Sequence, residues 1–158
     1  MPPLEIRRVV TGHDASGKAI VQIDEIAQNV ISNRPGAQST VIWTTEGFPV
    51  DNVNGRPDES LRQTTLANGS VFRVVSFGAG VAPRNHRTDS IDYAVVISGE
   101  IDMDLGGDVV HLKAGDVLVQ RGTVHNWINN GSEPCVIAFA LIDAKPAEVG
   151  GRILEARG

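Results

Sequence analysis

The distribution of hydrophobic residues after residue 69 is typical of a series of short β-strands. Runs of four to eight residues rich in β-branched and aromatic side chains alternate with glycine, asparagine and aspartate. No long helical pattern separates these runs, which indicates an antiparallel sandwich or barrel. The predicted strands are residues 70–77, 92–97, 100–105, 109–112, 117–120, 125–128 and 135–142.

The amino-terminal part of the chain predicts further strands. Residues 6–11 and 18–23 are rich in β-branched side chains and flank a turn-forming cluster, so they are predicted to form a hairpin. Residues 40–44 predict another strand. Residues 24–31 carry apolar side chains at helical spacing behind Asp24, which can serve as an N-cap, so a short helix is one interpretation of this segment.

The chain length predicts one domain. A protein of 158 residues, 41% of them hydrophobic, can bury most of the surface that its unfolded form exposes. Within this domain, residues 70–145 are predicted to form the barrel core. Residues 1–69 supply strands and loops that extend the barrel, and residues 146–158 form a carboxyl-terminal tail.

Composition and charge exclude several classes of partner. The net charge of −5 leaves no basic stripe for a phosphate backbone, and an aromatic content of 4% is too low for a base-stacking platform, so no nucleic acid partner is expected. The first ten residues lack the apolar core of a signal peptide, and no apolar run is long enough to span a bilayer. We therefore expect a soluble, cytoplasmic protein without a membrane partner.

Two glycine-punctuated segments carry the candidate chemistry. In the first, Gly80 is followed after five residues by His86. Thr88 comes two positions later, Asp92 follows after three more residues, and Gly99 follows after another six. Two imidazoles carried by strands toward one point inside a small barrel are a common way to build a metal site or an acid/base site.

The second segment supplies the other histidine. Gly115 is followed after five residues by Arg121 and then at once by Gly122, with His125 three positions later and Asn129 four positions after that. Because strand side chains alternate with a period of two, Trp127 and Asn129 are predicted to face the barrel interior if His125 does. Trp127 is then a candidate pocket wall.

These two segments resemble the paired motifs of the cupin superfamily of small β-barrels. The first family motif is a glycine, five residues, His-x-His, three or four residues, a glutamate, six residues and a glycine. The second is a glycine, five residues, Pro-x-Gly, two residues, a histidine, three residues and an asparagine. Here Thr88 replaces the second histidine, Asp92 replaces the glutamate, Arg121 replaces the proline, and the second motif is one residue shorter.

The resemblance implies an all-β fold, a cupin-type antiparallel barrel of the jelly-roll class, and a site at His86, Asp92 and His125. Cupins with the full pattern usually hold a divalent metal with three histidines and one glutamate. Two imidazoles and one carboxylate remain here, which is also the ligand set of facial-triad iron sites. The expected cofactor is a divalent transition metal, either Fe, Mn, Ni or Zn. The shorter Asp92 is either a ligand or a hydrogen-bond acceptor that orients an imidazole.

Several functions are compatible with these residues. A metal-dependent oxygenase, lyase, isomerase or decarboxylase acting on a small organic molecule is the favoured hypothesis, with Thr88, Trp127 and Asn129 in its pocket. A metal-free enzyme is an alternative, because an imidazole beside a carboxylate can act as a general acid or base. A barrel that binds or senses a small molecule without catalysis is another, with the two histidines as satisfied interior polar groups.

Arginines near the predicted site bear on the substrate. Arg73 lies among apolar neighbours and is either on the outer face of its strand or a buried anion clamp, and the outer face is the favoured interpretation. Arg84 and Arg87 flank His86 and are predicted to lie on a solvated or ion-paired face. The resemblance also implies a homodimer, and it favours a strand over a helix at residues 24–31.

Overall fold

A computed structural model describes residues 1–158, apart from the side chain of Asn33. The described residues form thirteen β-strands and no helix. The strands are β1 (Arg7–His13), β2 (Ala19–Ile26), β3 (Val30–Arg34), β4 (Ala37–Glu46), β5 (Gly69–Phe77), β6 (Ser90–Ser98), β7 (Glu100–Asp104), β8 (Val109–Lys113), β9 (Val117–Arg121), β10 (Asn126–Ile128), β11 (Cys135–Asp143), β12 (Ala147–Val149) and β13 (Arg152–Leu154).

Two sheets form the predicted antiparallel barrel of the jelly-roll type. The larger has six strands in the order β3-β4-β5-β11-β6-β9, and the smaller has three in the order β10-β7-β8. All strand pairs in both sheets are antiparallel. β6 and β11 are neighbours in the larger sheet, and between them the chain passes through β7 and β8 of the smaller sheet, β9 at the edge of the larger sheet and β10 of the smaller sheet.

One hydrophobic core joins the two sheets. Along β11 the side chains of Cys135, Ile137, Phe139 and Leu141 are buried and alternate with less buried neighbours, which is the pattern of a strand with one face against a core. They belong to the same cluster as Ile101, Met103, Leu112 and Trp127 of the smaller sheet. Complete burial of a large apolar side chain contributes about 1.5–3 kcal/mol to stability, so this cluster holds the two sheets together.

The amino-terminal strands agree with the sequence interpretation. The predicted hairpin is present as β1 and β2, and the predicted strand at residues 40–44 is part of the longer β4. For residues 24–31 the strand interpretation is confirmed and the helix is wrong, because β2 ends at Ile26 and β3 begins at Val30. None of the described residues forms a helix long and apolar enough to span a membrane.

Residues 146–158 contain more structure than the predicted tail. β12 and β13 pair as a hairpin with Val149 opposite Arg152, so Gly150 and Gly151 form a two-residue turn. Both glycines have positive φ, 59° and 75°, which is the backbone of a type I′ turn. Arg157 then pairs with Arg87 in an antiparallel bridge, which places the last residues beside the segment that carries His86.

Candidate active site

A short antiparallel bridge brings the two histidines together. The backbone N–H of His86 donates to the carbonyl of His125 at 3.1 Å, and the N–H of His125 donates to the carbonyl of His86 at 3.0 Å. Residues directly opposite each other in such a pair carry their side chains on the same face. The backbone therefore fixes the convergence of two side chains that are 39 residues apart.

The two rings meet through their ε-nitrogens. His86 Nε2 and His125 Nε2 are 3.0 Å apart, and the ring centroids are separated by 4.4 Å. Both residues are buried, with exposed fractions of 8% and 5%. The contact is a hydrogen bond, so one ring carries its proton on Nε2 and the other offers a lone pair there.

Backbone contacts determine which ring carries that proton. His125 Nδ1 lies 2.9 Å from the carbonyl oxygen of Thr123, and because a carbonyl can only accept, Nδ1 of His125 carries the hydrogen. In the neutral His125 ring, Nε2 then carries the lone pair, and it accepts the hydrogen bond that His86 donates from its own Nε2. His86 Nδ1 is buried and has no hydrogen-bond partner among the described residues.

Burial keeps both imidazoles neutral. Desolvation, followed by the proximity of His125, Arg84 and Arg34, lowers the pKa of His86 from 6.5 to about 3. Burial also lowers the pKa of His125, although its hydrogen bond to Thr123 opposes the shift. At neutral pH both rings are therefore uncharged, which is the form that binds metals and accepts protons.

Asp92 lies on β6 and faces the same cavity as the histidines. It is 5% exposed, and the Ser90 hydroxyl donates to its Oδ1 at 2.6 Å. Burial raises the pKa of Asp92, against the effects of the Ser90 hydrogen bond and the charge of Arg73. Among the described residues no three His, Cys, Asp or Glu side chains are grouped to hold a metal ion. The structure thus joins the two histidines directly and keeps Asp92 with Ser90.

The cavity around the histidines has a volume of about 320 Å³ and a strongly cationic lining. One part of its wall is apolar, formed by residues such as Phe77, Trp127, Phe139 and Leu141. Its charged side chains comprise a single carboxylate, that of Asp92, and four guanidinium groups. The arginines are Arg34, Arg62, Arg73 and Arg84.

Two of these arginines correct the sequence interpretation. Arg73 is 9% exposed and faces inward with Val71 and Phe77, because alternation along β5 places Phe72 on the outer face. Arg84 lines the cavity as well, since a residue two positions before His86 in an extended chain lies on the same side. For Arg73, the usual exposure of arginine led to the outer-face prediction. For Arg84, the alternation itself was misapplied, because a residue two positions from His86 lies on the same side and only the adjacent residue lies opposite.

The predicted pocket residues divide between the cavity and the surrounding framework. Thr88 and Trp127 line the cavity, and the Thr88 and Ser90 hydroxyls are hydrogen-bonded at 2.9 Å. Asn129 is buried but lies outside this cavity. Its amide donates to the carbonyls of Phe77 and Glu133, at 2.9 Å each, so it secures a turn beside the barrel instead of contacting a ligand there.

The geometry of the two ε-nitrogens fits a metal ion held by two imidazoles. Imidazole nitrogens bind first-row metals at about 2.0–2.1 Å, so two of them at a right angle are about 3.0 Å apart. That spacing is present here, and a metal would replace the hydrogen bond between the rings once His86 carries its proton on Nδ1 instead of Nε2. Remaining positions would be taken by water, by a ligand or by Asp92 after a side-chain movement.

Comparison with known proteins agrees with this architecture. A family model described as cupin domain matches residues 72–142. The chain is 35% identical to the cupin-domain-containing oxidoreductase fogC of Aspergillus ruber, over 94% of this chain and 77% of that protein. It is 41% identical to the oryzines biosynthesis cluster protein J of Aspergillus oryzae, over 95% of this chain and 89% of that protein.

A solved structure shows the same fold at low sequence identity. The cupin 2 conserved barrel domain protein from Salinispora arenicola superposes with a TM-score of 0.54 at 12% identity, over 79% of this chain and 91% of that one. The fold, the two motif-like segments and the sequence relatives all lead to one assignment. This chain belongs to the cupin superfamily.

Proposed function

We propose that this cupin is an oxidoreductase that acts on a small organic molecule in the cavity beside His86 and His125. In this proposal the two ε-nitrogens hold a divalent transition metal, either Fe, Mn, Ni or Zn. The observation that carries the proposal is their 3.0 Å separation within a buried cavity. Relatives named cupin-domain-containing oxidoreductases in Aspergillus ruber and Hypocrea virens support the reaction class.

Each residue of the site has a distinct part in this proposal. His125 is oriented by its hydrogen bond to Thr123, which keeps the Nε2 lone pair available. The apolar wall that includes Trp127 and Phe139 limits the water around a bound molecule. Asp92, whose pKa is raised by burial, holds or moves a proton at its carboxyl oxygens. A bound transition metal would supply electron transfer or polarisation of a substrate oxygen.

Metal-free proton transfer is the second candidate function. Two observations favour it: the imidazoles are hydrogen-bonded to each other, and no third ligand joins them among the described residues. In this case His125 Nε2 accepts a proton from a substrate carbon or oxygen, and the nearby guanidinium groups stabilise the resulting anion. The class of reaction would then be isomerisation or elimination.

Elemental analysis of protein purified without an affinity tag distinguishes these functions. We expect about one transition-metal ion per chain in the parent protein, and loss of that metal in both His86→Ala and His125→Ala, because two imidazoles are the minimum ligand set here. His111→Ala is the matched control. His111 contacts Asp102 at 2.6 Å and Glu100 at 3.3 Å on the surface, so it reports any metal held outside the cavity.

The metal contents of the parent protein and of the variants decide between the two functions. Metal lost with either cavity histidine but retained in His111→Ala supports the metal-dependent oxidoreductase. Parent protein that stays free of metal after incubation with each of the four ions, followed by desalting, would contradict it and leave proton transfer as the candidate. Metal lost only in His111→Ala would assign the ion to the surface.

We also propose that two copies of this chain associate through the outer face of the six-stranded sheet. Phe72, Ala140, Tyr93 and Val119 are successive register partners across β5, β11, β6 and β9. Phe72, Tyr93 and Val119 are 43%, 52% and 56% exposed. This row carries no charge, so two copies related by a twofold axis can meet without opposing like charges.

A charge placed in this row tests the dimer. We expect the parent protein to have the mass of a dimer in light scattering coupled to size-exclusion chromatography, and Val119→Lys to have that of a monomer, because a lysine there would be desolvated against its own copy. Val149→Lys, at a position 62% exposed on β12, should remain dimeric. A monomeric parent protein, or a dimeric Val119→Lys, would refute this interface.

A further inference from the structure

Cationic side chains outnumber carboxylates in the lining of the cavity. The lining places four guanidinium groups beside one carboxylate, Asp92, and the two histidines are neutral. None of the ion pairs among the described residues involves these four arginines. Burial, followed by proximity to Arg84, lowers the pKa of Arg34, and the same two causes lower the pKa of Arg73 to about 10, against the charge of Asp92.

Two of these guanidinium groups also have unused donors. Arg34 Nε and Nη2 are shielded from solvent and have no hydrogen-bond partner among the described residues, and the same is true of Arg73 Nε. The other arginines donate to backbone carbonyls, Arg62 to Glu59 and Arg84 to Gly158. Buried donors without acceptors are costly, so a polar group that enters this cavity gains by satisfying them.

The unused edge of Arg34 matches one chemical group in particular. In the surface pair between Arg7 and Asp24, Nε and Nη2 each donate to one carboxylate oxygen at 2.8 Å. Nε and Nη2 are also the two atoms that lack partners in Arg34. A carboxylate is planar and has two oxygens at the spacing of this edge, so it can accept from both donors at once when the guanidinium group rotates to present this edge to the cavity.

We propose that the molecule bound in this cavity is an aryl or alkyl carboxylate whose carboxylate is held by Arg34. The apolar wall of Phe77, Trp127, Phe139 and Leu141 then faces its hydrocarbon part, and the carbon skeleton lies beside the two histidines. This inference rests on the cavity of the proposed function, and it specifies the substrate class. The carboxylate serves as an anchor, because the residue that holds it is not one of the two histidines.

Benzoate is the probe that tests this inference. Isothermal titration of the parent protein in the presence of a chelator should detect benzoate binding. Benzamide has the same shape without the charge, and it should bind at least about tenfold more weakly, because charge-assisted hydrogen bonds to guanidinium are lost. Inorganic phosphate, the other simple source of anionic oxygens, should compete poorly because it does not use the apolar wall.

Substitutions of Arg34 test whether this residue holds the carboxylate of benzoate. Arg34→Met should weaken benzoate binding by at least about tenfold and remove the preference over benzamide. Arg34→Lys keeps the charge but lacks the planar edge, so it should bind benzoate with intermediate affinity. Arg152→Met, an exposed arginine on β13, should bind like the parent. Thermal unfolding of each variant verifies that it is folded.

Each outcome decides the question. Parent protein that does not bind benzoate, binds benzamide equally well, or binds phosphate as tightly as benzoate would overturn the inference. Unchanged benzoate affinity in both Arg34 variants would do the same. The titration contains no metal, so its result does not depend on the metal site. If the parent protein binds no metal but binds benzoate through Arg34, the metal-dependent function is rejected and the carboxylate site is retained.

Discussion

As the pH falls below 6.5, the protein is expected to lose stability because His86 and His125 resist protonation in the folded state. The unfolded chain takes up a proton on each imidazole near its ordinary pKa of 6.5, whereas burial lowers the pKa of both rings in the folded protein, to about 3 for His86. The stability that this pKa difference provides is therefore fully present above pH 6.5, and it is lost as the pH falls from 6.5 toward the folded-state pKa values. Each imidazole contributes a slope of up to about 1.4 kcal/mol per pH unit.

A double variant isolates this effect from the other titrating groups. His86→Gln/His125→Gln removes both imidazoles, so the free energy of unfolding, measured by urea denaturation from pH 7 to pH 4.5, should fall less steeply than in the parent. Asp92 affects the pH dependence of stability in the opposite direction, because its raised pKa favours the folded state in acid. Both the parent and the double variant contain Asp92, so its effect is common to the two measurements. His13→Gln, at an exposed position of β1, should keep the steep slope of the parent. Equal slopes in parent and double variant would contradict the buried neutral pair.

Removal of Arg8 is expected to destabilise the protein by about 2–3 kcal/mol. The side chain of Arg8 is completely buried, and it donates to the backbone carbonyl of Val41 at 3.2 Å and to the carboxylates of Glu25 and Glu59 at 2.6 and 3.1 Å. These contacts join the β1–β2 hairpin, β4 and the loop that supplies Arg62 to the cavity. Loss of one partner from a fully buried ion pair costs about 3–5 kcal/mol, but the two glutamates are half-exposed and can regain water, which reduces the cost.

The neighbouring arginine provides the matched control. Arg7 forms an equally well-aligned pair with Asp24, but its side chain is 67% exposed, so Arg7→Ala should cost less than about 1 kcal/mol. Arg8→Ala and Arg7→Ala are compared by urea denaturation at neutral pH. Equal losses in the two variants would show that burial of Arg8 does not determine its contribution. A benzoate affinity reduced in Arg8→Ala alone would further indicate that this contact supports the cavity wall.

The sequence was sufficient to predict the barrel because local and long-range signals agree there. Strands such as β11 alternate buried and less buried side chains, and turns such as Gly106–Gly107 separate them. The convergence of His86 and His125 could be expected only from the resemblance to paired cupin motifs. Their direct contact depends on a two-residue backbone bridge, and no spacing within a single strand encodes such a pairing.

The cationic lining of the cavity was harder to predict. Arg34 comes from β3 and Arg62 from a loop, and nothing in their local sequence indicates that they approach β5 and the His86 segment. Arg73 and Arg84 were predictable in principle from a period of two. For Arg73 the usual exposure of arginine outweighed that signal, and for Arg84 the period was applied as if residue 84 were adjacent to His86. The Gly150–Gly151 pair was an unused signal of the same kind, because a two-glycine loop between short strands indicates a hairpin.

In the proposed metal site, the ε-nitrogens of His86 and His125 form one ligand pair inside the cavity. Anomalous diffraction from crystals of the metal-loaded parent protein, collected at the absorption edge of the bound metal, shows whether they do. We expect one anomalous peak at about 2.0–2.2 Å from both Nε2 atoms. A peak elsewhere in the molecule, or imidazoles still hydrogen-bonded to each other with no peak between them, would contradict it.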